Sequence, residues 1–394
     1  MQIDNPEHSE ESYRLSQLIE QLIDQNEFDQ ARMCANQLLV SAPEDPEIYA
    51  LLANIEVNSG NISVARRYML EAIRLAPDSQ IAKDNLAYLD GVEIQSTDNA
   101  YMHQWFVWRI RHLDYPRVIS VETVGRCNAK CNFCPHPQLD RKFDAMSDTL
   151  FEKIVKEAST FPPDNFKGFA MHSVNEPFMD RKIFDRLALI NEIVPSAPIS
   201  ITTNMNVMPP RFFERIRQIK NISQWNVSFN SANKSEYEET MQIDFDRTVT
   251  NVRRLLKENS ERPFVDAPIV LSRVGPSASR NNQFVSECEA LFSQFVIGRD
   301  FQTSLLGKAN WLGDVTDYSP FFYDSYPCHQ WVNLTIHCNG IVPHCCVDAH
   351  QRFPFGDVNN QSIVDIYNSP HWRNLRQRVS GRDVIYPCNT CNLR

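Results

Sequence analysis

Three cysteines fall within eight residues, as Gly125-Arg126-Cys127-Asn128-Ala129-Lys130-Cys131-Asn132-Phe133-Cys134-Pro135-His136, directly after the apolar run Arg117-Val118-Ile119-Ser120-Val121. A C-x3-C-x2-C loop leaving the end of a strand restricts the fold, because the thiols have to converge on one centre held at that strand end. Three thiolates on a short loop can hold three irons of a [4Fe-4S] cube and leave the fourth without a protein ligand. An open iron can chelate a small molecule and pass an electron into it. Zinc is the competing use of C-x2-C thiols, although no fourth ligand follows at finger spacing.

From Arg117 to about Phe301, short apolar runs alternate with helical patterns, the signature of β/α units around a parallel sheet. The spacing predicts strands at 117–122, 167–172, 198–203, 224–229, 266–273 and 295–301. Helices are predicted near 148–159, 180–192, 210–219, 247–258 and 281–294.

The cysteine loop, with an aromatic residue before its third cysteine and a strand before its first, resembles the radical S-adenosylmethionine (radical SAM) superfamily. The resemblance implies an α/β fold, a partial (β/α)6 TIM-like barrel over residues 117–310, with chemistry at the C-terminal strand ends. It also implies that Cys127, Cys131 and Cys134 hold a [4Fe-4S] cluster at which SAM is reductively cleaved to a 5′-deoxyadenosyl radical. Further matches lie at three strand ends. Met171-His172-Ser173-Val174-Asn175-Glu176-Pro177 resembles the Gly-Glu-Pro motif, with Asn in place of Gly, and implies that Glu176 and its neighbouring backbone bind the SAM amino group. Thr202-Thr203-Asn204-Met205-Asn206 resembles the Thr-Asn-Gly segment, which singles out Asn204. Ser228 stands where a serine contacts SAM in relatives, and the backbone of Phe133 is expected at the adenine. The arginine that often holds the SAM carboxylate is missing from Glu238-Glu239-Thr240-Met241, so Arg273 or Arg247 is expected to substitute.

Residues 1–90 carry an internal repeat. Leu18, Ala31, Leu38 and Pro43 recur 34 positions later as Leu52, Ala65, Ala72 and Pro77. This period resembles tetratricopeptide (TPR) repeats, helical hairpins that stack because none buries its own apolar face. Asn61 reads as an N-cap and Pro46 as a first-turn residue, with a closing helix near 78–90. Such arrays bind a peptide or protein partner, or merely buttress a neighbouring domain. Residues 91–116, with Trp105, Phe106 and Trp108, read as a connecting helix.

Beyond Trp311 the chain turns cysteine-rich. Cys328, then Gly340, then four residues to Cys345, resembles the opening of the SPASM domain, and Cys388-Asn389-Thr390-Cys391 completes a shortened "twitch" pattern. Over 311–394 the resemblance implies one auxiliary [4Fe-4S] cluster on Cys328, Cys345, Cys388 and Cys391, with Cys346 a rival to Cys345 and a zinc ribbon the alternative. Cys338 is left over, either a core residue or a hydrogen-atom donor.

Eleven cysteines, a net charge of −10 and an acidic, polar N-terminus point to a reducing cytoplasmic setting, with no membrane span. Cys34 and Cys288 stand apart and read as core residues. The acidic balance argues against a nucleic-acid substrate. A fully ligated auxiliary cluster implies a net two-electron C–H oxidation of a peptide, carrier-bound or sugar-like substrate, with flavodoxin or ferredoxin as reductant. The rivals are a redox-neutral epimerase using Cys338 or Cys288, and a TPR adaptor with structural clusters. Glu122, His172 and Asn206 are candidates for the proton-accepting group.

Overall fold

The computed structural model describes residues 14–391, leaving out 16, 20, 24, 26, 91–107, 109–110, 142–144, 275–277, 307–308, 310, 316–327, 378–385 and 389–390. The chain divides into two compact units, Met1–Arg111 and His112–Arg394. No helix among the described residues is long and apolar enough to cross a membrane.

In the first unit, helices Phe28–Ser41, Pro46–Asn58, Ile62–Leu75 and Gln80–Asp90 follow one another, each packed on the next. Their starts at 28 and 62, and at 46 and 80, reproduce the 34-residue period. The backbone repeats as well: Glu27 (φ −88°, ψ 58°) and Asn61 (φ −91°, ψ 60°) lead into equivalent helices in one conformation. Ala31, Ala65 and Ala72 are buried where helices approach. Pro46 sits in the first turn behind Asp45, whose carboxylate accepts from the Glu47 amide at 2.9 Å. Asn61 occupies the N-cap position without capping. Its amide donates to Glu56 Oε2 at 2.8 Å, because a buried carboxylate already engaged by Arg32 is a stronger partner than the helix amides. Most of the expected connecting helix lies outside the described residues.

The second unit is organised on parallel strands β1 (Ile119–Val121), β2 (Phe169–Met171), β3 (Ile199–Thr203), β4 (Ile222–Ser228), β5 (Ile269–Val274) and β6 (Phe301–Leu306). Their order is β6-β5-β4-β3-β2-β1, followed by a seventh strand, β7 (Leu334–Ile336), parallel to β1. The first five follow the expected alternation. The sixth does not lie at 295–301. Gly298 takes φ +79°, the Asp300 carboxylate accepts from the Val296 amide, and the strand begins only at Phe301. β7 went unanticipated because Leu334-Thr335-Ile336 is too short to show a period. The helix Lys234–Met241 was likewise unforeseen. A small antiparallel pair, β8 (Ile341–Val342) and β9 (Gly356–Asp357), lies beyond β7. Cys288 is fully buried on the helix Ala278–Leu291, whereas Cys34 is only half-buried.

Alternation divides the sheet into two faces. Ile119, Val121, Phe169, Met171, Ile199 and Ile201 are almost fully buried. Within β1 and β3 the residues on the other face, Ser120, Ser200 and Thr202, are polar and half-exposed, while Ala170 holds that place on β2 and is buried. The apolar face packs under helices and the polar face lines the barrel interior.

At the C-terminal end of β1 the fully buried Glu122 accepts from both terminal nitrogens of Arg141, at 2.7 Å for Nη2 to Oε2. Arg141 Nε donates to the Ala349 carbonyl at 2.8 Å, tying the C-terminal segment to β1. Burial pushes the Glu122 carboxyl up. The Arg141 hydrogen bonds and charge, aided by His337 and the Cys338 amide, outweigh burial and hold it below the usual carboxylate range. Both of its oxygens are committed, to Arg141 and the Cys338 amide, which removes Glu122 from the candidate bases.

Two expectations follow from this packing. Gly168 has φ +101°, and a Cβ there would stand 1.8 Å from the Pro198 carbonyl oxygen, so Gly168→Ala is expected to cost roughly 3 kcal/mol in urea unfolding. Arg141→Met leaves a buried carboxylate uncompensated, at an expected cost of about 3–5 kcal/mol near neutral pH. The sign of the pH dependence should also reverse. In the native chain the Glu122 contribution is complete above the unfolded carboxyl value of 4.5 and fades as pH falls through the depressed folded value. In the variant burial acts alone and raises that value, so the penalty should shrink as pH is lowered from neutrality, as urea titrations across that range would read.

Candidate functional site

The cysteine loop leaves β1 and is gripped by its own backbone. Helix ends leave their last carbonyls without partners, and those of Thr240 and Met241 accept from the Asn132 and Lys130 amides at 3.0 and 3.1 Å. The signal that could have revealed this helix is Asn233-Lys234-Ser235-Glu236, in which the Asn233 side chain accepts from the Glu236 amide. On the other side Asn204 Nδ2 donates to Asn128 Oδ1 at 2.9 Å and reaches Cys127 Sγ at 4.0 Å. Met241 Sδ lies 3.4 Å from Cys131 Sγ. The three thiols are thus directed to one locus at the barrel mouth.

Burial, reinforced by Glu176, pushes the Cys127 thiol up to about 12. Cys131 is raised by burial and by its two neighbouring thiols, and Cys134 is pushed up to about 11 by burial. Thiols crowded in this way resist ionisation unless a cation joins them. Among the described residues no three His, Cys, Asp or Glu side chains gather as ligands of a single metal ion. Thiols spaced over a polynuclear iron–sulfur centre need no such collapse, so the donor set fits a cube open at one iron.

The expected SAM contacts fare unequally. Glu176 is buried and its carboxylate is already used: Oε1 accepts from Thr203 Oγ1 at 2.7 Å and the Phe178 amide at 3.1 Å, and Oε2 from the Asn204 amide at 2.7 Å. Burial nevertheless pushes it up to about 7. Its side chain joins the β2 and β3 ends, so backbone is what this segment offers a ligand. Asn175, in the glycine position, takes an ordinary negative φ. Ser228 Oγ accepts from Asn230 Nδ2 at 3.0 Å, and the same Nδ2 reaches Met241 Sδ, beside the loop, at 2.9 Å. Arg273 lies on the helix-covered face of β5, donating to the Asn230 carbonyl and Glu236, because the pleat turns it away from the interior. Arg247 is exposed on the helix Phe245–Glu261. Neither is placed to hold a carboxylate in the barrel. The Phe133 carbonyl accepts from Trp311 Nε1 at 2.9 Å, a contact that no motif announced. Asn206 spends its amide on the Asp244 carbonyl and Thr248, a structural use that removes it from the candidate bases. His172 remains, its Nδ1 buried without a partner and its ring held neutral by burial, which lowers it to about 4.

In the C-terminal segment Cys328, Cys345, Cys346 and Cys391 influence one another electrostatically. Burial and then these neighbours raise Cys345 far above the ordinary thiol value and push Cys346 up to about 12. Cys346 therefore stands with Cys345 in place of an either-or choice. Cys388 Sγ meets His344 Nε2 at 3.0 Å, and Cys388 is linked to Cys391 by a turn. Five thiols in this segment fit an auxiliary iron–sulfur site. Cys338, buried at the end of β7, is bonded through its amide to Glu122 and lies outside that group.

The radical SAM superfamily model matches residues 121–274, and the SPASM model, an iron–sulfur cluster-binding domain, matches 328–392. No curated protein matches the sequence. Streptococcus suis SuiB bound to precursor peptide SuiA is similar over 78% of this chain and 82% of its own, at 14% identity and TM-score 0.50. SuiB bound to S-adenosylmethionine is similar over 80% and 83%, also at 14% identity and TM-score 0.50. BtrN in complex with AdoMet and 2-DOIA aligns over 70% and 92%, at 16% identity and TM-score 0.44. At such identities the likeness to SuiB speaks for the fold. The two matched domains contain, respectively, the thiol loop at the barrel mouth and the thiol group beyond β7: the chain carries a radical SAM domain and a SPASM domain, with SAM, a [4Fe-4S] cluster and SPASM-type auxiliary iron–sulfur ligation as the cofactors these domains imply.

Proposed function

We propose that this radical SAM enzyme carries out a two-electron C–H oxidation, a dehydrogenation or a cross-link, on a peptide, carrier-bound or sugar-like substrate. When bound, the cluster and SAM supply a 5′-deoxyadenosyl radical that takes one hydrogen atom from the substrate. Cys127, Cys131 and Cys134 would ligate the SAM-binding cluster, and Asn204 with the Thr240–Met241 helix end would keep their loop in register. His172, neutral on the inner face, is the candidate of this chain for taking up the proton.

The observation that carries oxidation is the thiol enclosure of Cys328, Cys345, Cys346 and Cys391, with Cys388 beside it. That many thiolates leave no iron open for SAM, and a closed centre suits receipt of an electron. A second reading, redox-neutral epimerisation, draws on Cys338, whose buried thiol stands at a strand end where it could return a hydrogen atom. Cys288, packed behind the sheet, does not support it.

A peptide or carrier substrate is supported by the SuiB complex with its precursor peptide. The repeat unit, which we read as TPR-like, adds a cleft of about 490 Å³ lined by Ala50, Leu51, Asn54, Met69 and Leu89, suited to an extended chain.

Anaerobic reconstitution is expected to load about eight irons per chain, and alanine at Cys127, Cys131 and Cys134 to reduce this to about four. SAM and dithionite should then yield 5′-deoxyadenosine from the native chain only. A product lighter by two hydrogens would support oxidation, and solvent deuterium in an otherwise unchanged product would support epimerisation. Iron-loaded protein that releases no 5′-deoxyadenosine would leave an adaptor with structural clusters.

A further inference from the structure

At the level of Glu122 one row of side chains crosses five strands on the inner face. Thr202 pairs with Asn226 in the β3–β4 register, and one step beyond the β2–β3 and β1–β7 ladders, two beyond the β1–β2 ladder, the row gains His172, Glu122 and His337. The Glu122 amide donates to the Ile336 carbonyl at 2.9 Å, so the β1–β7 ladder does continue to this level. Three of the five carry a buried polar atom without a partner: His337 Nε2, His172 Nδ1 and Asn226 Oδ1. Buried polar atoms in a folded chain are nearly always paired, so three in one row of a barrel interior mark a place where a ligand completes the bonding. The only charge in the row, Glu122, is already neutralised by Arg141.

The tautomer of His337 is set by a relay that starts at the backbone. The Ile341 amide donates to Asn339 Oδ1, which orients that side-chain amide, and Asn339 Nδ2 then donates to Gln351 Oε1 at 3.2 Å. Gln351 Nε2 in turn donates to Asn339 Oδ1 at 3.0 Å and to His337 Nδ1 at 2.8 Å. With Nδ1 accepting, the proton of the neutral ring resides on Nε2, which has nothing to donate to. His337 is fully buried, and burial lowers it to about 4, so the ring stays neutral.

We propose that this row is the substrate-recognition surface of the barrel, that His337 Nε2–H donates to a substrate oxygen, and that the group recognised is an uncharged, hydroxyl-bearing carbon. Hydroxyls both donate and accept, so a hydroxyl-bearing group can answer an N–H donor at the β7 end of the row and an amide oxygen at its β4 end, whereas an ion would find no counter-charge. The proposal rests on the radical SAM reading above and narrows its substrate. It makes the segment beyond the barrel a contributor to substrate binding.

The test uses the cluster-loaded full chain with SAM, dithionite and carbon-deuterated probes, and reads deuterium per 5′-deoxyadenosine formed. One arm uses myo-inositol and another a capped serine peptide, which separate a sugar-like source from a peptide one; succinate and a capped valine peptide are controls. Transfer from either hydroxyl probe and little from the controls is expected. His337→Phe, compared at equal iron content, should raise the probe concentration for half-maximal transfer about tenfold, the loss of one hydrogen bond. His337→Gln, which retains a donor, should largely restore it, and Gln351→Leu, which frees the tautomer, should fall between. Equal transfer from the controls, no transfer from either hydroxyl probe, or an unchanged response in His337→Phe would overturn the proposal. Absence of any 5′-deoxyadenosine would instead overturn the radical SAM reading beneath it, and the proposal with it.

Discussion

Everything in the barrel mouth depends on two sets of unsatisfied backbone groups meeting. The end of the helix Lys234–Met241 has carbonyls with no helical partner, and the cysteine loop has amides with no strand to join; Lys130 and Asn132 bring the two together. Asn204 then holds the same loop from β3 through Asn128. A loop of three thiols repels an ordered arrangement when any of them ionises. These neutral contacts fix the loop independently of charge, so the ligand geometry exists before any metal arrives.

The sheet separates two kinds of work by the parity of its residues. Apolar positions meet the helices and provide the core, including the stacked Phe178 and Trp225 at 5.7 Å. The alternate positions face inward and, apart from residues such as Ala170 and Val270, are polar, an arrangement that trades stability for recognition. Glu122 with Arg141 is an ionic element on that inner face, and its second function is to join β1 to the Ala349 segment.

The order of elements and the thiol loop were legible in the sequence because each rests on local pattern: a strand-length apolar run, a cysteine spacing, a 34-residue period. What could not be read were contacts made across long separations. Glu176 carries the expected motif, yet its oxygens are spent on Thr203, Asn204 and Phe178, and only the fold reveals which donors surround it. Arg273 was a reasonable guess by residue type and wrong by pleat, since one step along β5 would have turned it inward. Phe295-Val296-Ile297 has the composition of a strand, and a single left-handed glycine displaced the strand beyond it. Cys346 could not be ranked against Cys345 because adjacency in sequence is silent about a shared enclosure.

β7 gives β1 its second neighbour from more than two hundred residues downstream. During synthesis β1 therefore leaves the ribosome with one edge open, and keeps it open until Leu334–Ile336 has been made. Such distant pairing is slow, and an unpaired edge is exposed to other strands in the meantime. The cysteines of the loop spend that interval beside an unfinished sheet. Delivery of their iron and sulfide thus belongs after translation of the C-terminal segment, and a chain cut short before Leu334 would lose the border of the barrel along with its auxiliary thiols.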